Sequence, residues 1–279
     1  MTTDISPPAP EQPPQPAPPR PGAAPRVIAL LTAALGVGVL AVSVTGGVLP
    51  TVATAAARDE ESAISVDGVS ALDVDVSAMS LEVVFAEVDR ASLEVRGNTG
   101  SGGWTFERDG DVLRVETPRQ AFLSWFGGDN GRATLILPER LAGLDADLRV
   151  GGGSIDVAGD YDDLAIDLGA GEATVDASAR SLSADVSAGR GDIALTGVAT
   201  ARLSLGAGEL ITRLSGSAPR DVQASVSAGS LEITLPDETY AVTSDVSAGD
   251  VDNALRTSAD SPRTVHVEVS AGNARLRAE

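Results

Sequence analysis

The sequence predicts an all-β fold, a β-solenoid of about 7–8 short coils with an irregular N-terminal cap, preceded by one transmembrane helix. Three observations carry this. A four-residue motif recurs as VSAM at 76–79, VGGG at 150–153, LGAG at 168–171 and 205–208, and VSAG at 186–189, 226–229, 246–249 and 269–272. The residues leading into it alternate apolar and polar, as Leu164, Ile166 and Leu168 do around Asp167. Far upstream lies a run of 23 residues without a charge.

Taken in order, residues 1–26 hold 10 of the 16 prolines. Proline fixes φ and removes a donor, so this segment is expected to be a disordered, cytoplasmic tail. Residues 27–49, VIALLTAALGVGVLAVSVTGGVL, would span about 34 Å as a helix, enough for a hydrocarbon core of about 30 Å. Arg20 and Arg26 precede the run, and Asp59, Glu60 and Glu61 follow it. The positive-inside bias therefore predicts a single-pass cell-membrane protein with a cytoplasmic N-terminus and an extracytoplasmic C-terminal domain. A cleaved signal peptide is the rival, because Ala53-Thr54-Ala55 looks like a cleavage site. The length of the apolar run and the long tail before it favour the anchor.

Residues 50–70 read as a linker and 71–143 as N-terminal strands and a cap. Strand-like runs fall at Ser92–Arg96, Trp104–Glu107, Val112–Glu116 and Ala133–Leu137. GNTGSGG at 97–103 and RDGD at 108–111 are turn signals, the second of hairpin type.

Residues 144–279 hold the regular repeats. From Gly153 the motif glycines are 18, 18, 19, 21, 20 and 23 residues apart. A short, nearly fixed period signals stacked units. Before the corner the inward face reads Leu182, Ala184, Val186 and Ala188; after it, Leu231, Ile233 and Leu235 show the alternation resuming. Each repeat is thus expected to give two short strands, with the motif Ala turned inward and the Gly permitting the bend. Equivalent positions would stack coil on coil at about 4.8 Å. LILPERLAGLDADLRVGGG and ITLPDETYAVTSDVSAG echo one another, with Pro138 and Pro236 in matching places. A β-sandwich is the alternative, but sandwiches seldom keep one corner motif in register.

Composition narrows the chemistry. There is no Cys and one His, which excludes disulfides, thiolate sites and two-His mechanisms. All 20 basic residues are Arg, which removes lysine Schiff bases. Forty acids give a net charge of −20, which disfavours nucleic acid as a direct partner.

Candidate sites are few. Arg190-Gly191-Asp192 spells an integrin-type tripeptide, but Gly191 falls on an inward repeat position. Acids cluster at Asp73/Asp75, Asp145/Asp147, Asp156/Asp160/Asp162/Asp163 and Asp245/Asp250/Asp252. Paired carboxylates can serve glycoside hydrolysis or Ca²⁺ binding, although a spacing of two puts them on a solvated strand face. His266 lies between inward Val265 and Val267, so it should face out without a partner. FLSWF at 122–126 concentrates three of the eight aromatics. Phe122, Trp125 and Phe126 are therefore the partner-binding candidates, with packing of a cap as their structural alternative. No catalytic, cofactor or metal residue is assigned.

The VSAG-like corners, the strand–Leu–Pro step and the single N-terminal anchor resemble the bacterial β-strand-repeat family labelled "putative adhesin", which includes LiaG-like envelope proteins. The resemblance covers roughly residues 70–279. The family is largely a domain of unknown function and supplies no catalytic motif. It implies a non-catalytic, membrane-anchored envelope protein, an interaction or adhesin module linked to envelope stress sensing. Its partner would be an envelope protein or a cell-wall polymer. The alternatives are an exported β-helix carbohydrate-active enzyme and a passive spacer. The Ala- and Arg-rich, Lys-free composition is that of a high-GC bacterium.

Overall fold

A computed structural model describes residues 58–97, 104–117 and 131–279. Among them the structure is almost entirely β, in one 12-stranded sheet. The first strands are β1 (Arg58–Ile64), β2 (Ala71–Ala86), β3 (Ala91–Gly97), β4 (Thr105–Asp109), β5 (Val112–Glu116) and β6 (Arg132–Pro138). A 3-10 turn at Glu139–Leu141 leads to β7 (Leu144–Thr196), β8 (Thr200–Ser215), β9 (Asp221–Leu235), β10 (Thr239–Asn253), β11 (Arg256–Thr257) and β12 (Thr264–Ala278).

β7 shows how the chain is organised. Its 53 residues would reach about 175 Å if straight. Instead it turns at Gly153, Gly171 and Gly189, and a Cβ at each later glycine would strike the carbonyl of the one before. The first arm of β7 lies parallel on β2, with Leu72, Val74 and Val76 opposite Ala146, Leu148 and Val150. Its last arm lies parallel on β8, and β8 on β9, again in register. Leu203, Leu205, Leu210 and Leu214 of β8 are all buried, so the alternation read from the sequence is the inward face of every pass.

The corner residues explain the motif. Glycine stacks on glycine in the order 153, 171, 189, 208, 229, 272, 249, and each has the preceding carbonyl where a Cβ would stand. Glycine is therefore required by close backbone approach as much as by the bend. At the first corner Met79 occupies the glycine position. There Ala78 adopts φ 60°, and the pairing of β2 with β7 slips at Val76–Met79.

Several expectations are corrected. The corner Ala does not face inward: Ala170, Ala188, Ala207, Ala228 and Ala271 are exposed. The chain changes phase across the bend, so inward residues are Leu168 and then Ala173, with an odd spacing between them. The two arms of each repeat form one continuous strand because pairing resumes immediately past the corner. The passes also do not stack wholly in chain order. β12 inserts between β9 and β10, pairing parallel with both.

The N-terminal strands cover the other end. β5 pairs with the first arm of β2 and β6 with its second arm. β3 joins β6, and β1 joins β3, both antiparallel. β1 falls inside the stretch read as linker. Its Arg-Asp-Glu-Glu start carries no alternating apolar signal. RDGD forms the β4–β5 hairpin, with Gly110 at φ 64°. The apolar run 27–49 lies outside the described residues, among which no helix is long and apolar enough to cross a membrane.

Candidate functional site

Parallel register converts sequence spacing into surface ladders. Asp145 and Asp147 lie beside Ala71 and Asp73, and a step of 18 residues brings Asp163 against Asp145, whose Oδ1 accepts the Asp163 backbone N–H at 3.2 Å. These four carboxylates line an open groove of about 500 Å³ on the outer face. The groove exists because outward Ala165, Ser181 and Ser183 are short where their neighbours are long.

Each acid in the groove is held. The Arg149 guanidinium donates to Asp73 at 2.8 Å and also reaches Asp147. The Ser181 hydroxyl donates to Asp163 at 2.7 Å. Arg114 stands 3.6 Å from Asp73 on the other side. The carboxylates lie side by side along strands, whereas glycoside hydrolysis needs two acting from opposite sides of a sugar. Among the described residues, no three of His, Cys, Asp and Glu converge to hold a metal ion.

The remaining acids are dispersed. Asp156 lies on the arm beyond the corner, in a smaller groove with Glu82, Thr174 and Asp176. Asp160 accepts from Ser178, and Asp162 pairs with Arg180. Asp245, Asp250 and Asp252 are divided by the corner of β10. Asp252 accepts from Arg277 at 2.6 Å, and that bond holds its carboxyl below the usual range.

The tripeptide Arg190-Gly191-Asp192 lies within β7 as a repeat position. Gly191 is buried against Leu210. Arg190 pairs with Glu209 at 3.0 Å, and Asp192 accepts from Arg213 at 2.6 Å. His266 faces out as expected, but it has a neighbour, with Nε2 3.9 Å from Asp245. Phe122, Trp125 and Phe126 lie outside the described residues, on the connection between β5 and β6.

One feature escaped the reading of acid pairs. The position four before the corner residue is charged in successive passes: Asp75, Arg149, Asp167 and Asp185. Asp167 is the perturbed member. Partial desolvation, then the neighbouring Asp185, pushes its carboxyl up, with Arg149 opposing. The signal was present in the repeat alignment, at one fixed offset from each glycine.

No protein-family model matches the chain, and no curated protein matches it. Solved bacterial structures do align with it. A "putative adhesin" from Bacteroides fragilis shares 14% identity over 78% of this chain and 97% of its own, with a TM-score of 0.45. A "putative cell adhesion protein" from Clostridium sporogenes shares 11% over 80% of this chain and 100% of its own, at 0.38. A "putative adhesin" from Parabacteroides merdae shares 10% over 79% and 97%, at 0.37.

Proposed function

We propose that this chain is a non-catalytic envelope protein, anchored by residues 27–49, whose parallel passes wind as a β-solenoid and present a ladder surface to a partner. Envelope stress sensing is the setting the motif resemblance suggests. The observation that carries the reading is the state of the groove acids. Asp73, Asp147 and Asp163 each have an Arg or Ser partner within the same outer face. Such an arrangement makes a fixed charge pattern suited to recognition and leaves no opposed pair free for acid–base work. A net charge of −20 repels anionic wall polymers, so a protein partner with a basic surface fits better.

In-cell crosslinking followed by pull-down tests this, with three baits: wild type, Asp145→Asn with Asp163→Asn, and Phe122, Trp125 and Phe126 all changed to Ser. A specific envelope protein lost from the acid variant is the expected result. Loss from the aromatic variant alone would move the interface to the β5–β6 connection. Hydrolysis of a polysaccharide panel by the wild type, abolished in the acid variant, would overturn the non-catalytic reading.

A further inference from the structure

The two ends of the parallel stack differ. At one end the outer edge of β2 is covered by β5 and β6, with β3 and β1 beyond. At the other, β10 is the last long strand, and β11 covers only Thr239 and Tyr240 of its outer edge. Residues 241–253 pair with β12 on one side and with nothing described on the other. The equivalent inward residues show the consequence. Val226 and Val269 are 0% exposed, whereas Val246 in the same ladder is 45% exposed. Val242 and Val251 are only half buried. An open edge with apolar side chains is a template for another strand.

We propose that this edge pairs antiparallel with β10 of a second copy, making a two-fold, end-to-end dimer. The argument is in the phase. Before the corner the inward residues of β10 are Val242, Ser244 and Val246; beyond it they are Val251 and Asn253, as their ladder partners Ala274 and Leu276 show. The bend changes the inward set from even to odd numbers. An antiparallel copy centred on the corner therefore places inward residue on inward residue. In the register that sets Ala248 against Gly249 of the second copy, Val246 meets Val251 and Ser244 meets Asn253. Apolar matches apolar, and polar matches polar. A shift by two residues either way sets Val251 against Ser244 or Val246 against Asn253, so the centred register is the one the side chains specify.

The arm before the corner is acidic, with Asp245 in register with Glu268, and His266 beside them. The arm beyond it carries Arg275 in register with Asp252, and Arg277 bonded to Asp252. In the centred register Asp245 meets Asp252 of the second copy, a like-charge contact that Arg277, bonded to Asp252 from the strand behind, offsets. The same edge of each copy makes the contact, so it is isologous and the assembly closes as a dimer.

The chain has no Cys, so a single introduced thiol reports the contact. Ala248 and Ala207 are equivalent exposed corner residues, on the end pass and an internal pass. Under mild oxidation the full chain carrying Ala248→Cys should crosslink several-fold more than the chain carrying Ala207→Cys. Sedimentation equilibrium of the full chain should give a dimer, and Val246→Asp should give a monomer with an unchanged β circular-dichroism spectrum. Equal crosslinking at the two positions, a monomeric wild type, or a dimer that survives Val246→Asp would each overturn the proposal.

Discussion

Thr212 is the buried polar residue of the described core, 0% exposed, and its Oγ1 has no hydrogen-bond partner. It occupies an inward position whose register neighbours are Ile193 and Ile233. Thr212→Val keeps the shape and removes the unsatisfied hydroxyl, so it should stabilise the fold by about 1 kcal/mol. A higher denaturant midpoint at unchanged slope would register this. Gly171 tests the opposite sense. An added Cβ meets the Gly153 carbonyl, backbone that cannot step aside, and Gly171→Ala should cost about 3 kcal/mol in the same measurement. Asp167 adds a pH signature. Desolvation and Asp185 raise its folded pKa above the ordinary value, so the folded state holds the proton more tightly than the unfolded state. Its contribution is favourable at low pH and is lost as pH rises through the folded pKa. Asp167→Asn should flatten that loss and raise neutral-pH stability by about 0.5 kcal/mol, the scale of a solvent-screened cross-strand contact.

Among elements, β12 is the last in sequence of the described strands, yet it lies inside the stack. It is paired on both sides, and Val265, Val267, Val269 and Leu276 are at most 1% exposed. Hydrogen exchange of the monomeric Val246→Asp chain should therefore find β12 as protected as β9, while β10 exchanges first. Faster exchange in β12 than in β10 would contradict the strand order. The strands themselves were legible, because each pass writes its buried face as an alternation. Strand order was not, because β9, β10 and β12 carry the same VSAG corner. The deciding residues were nevertheless present. Ser244 and Asn253 put polar groups at inward positions where β12 has Val267 and Leu276, which marks β10 as the pass that borders solvent. The outward turn of the corner Ala was hidden for a different reason. Alternation continued through the motif predicts it inward, and only the bend shifts the phase.

At the scale of the whole molecule, charge is the property that spacing alone reads least well. The groove acids were visible as pairs two apart. Their grouping with Asp163 needed the parallel register that sets residues 18 apart side by side, and Arg149 was invisible as their clamp until strands were paired. The same register fixes the balance between attraction and repulsion. Local pairs such as Arg149–Asp73 and Arg213–Asp192 are solvent-screened and contribute about 0–1 kcal/mol each. Against them stands a surplus of acids, 40 to 20 over the chain, repeated along ladders whose rungs are about 4.8 Å apart. That spacing is well inside a Debye length of about 30 Å at 0.01 M salt and exceeds about half of the length reached near 0.3 M. Salt therefore screens many repulsions while weakening pairs that contribute little. Raising NaCl from about 0.01 M to about 0.3 M should raise the calorimetric Tm of the full chain. A lower Tm would mean that the arginine clamps outweigh the acid ladders, and Arg149→Gln should then abolish much of the salt response.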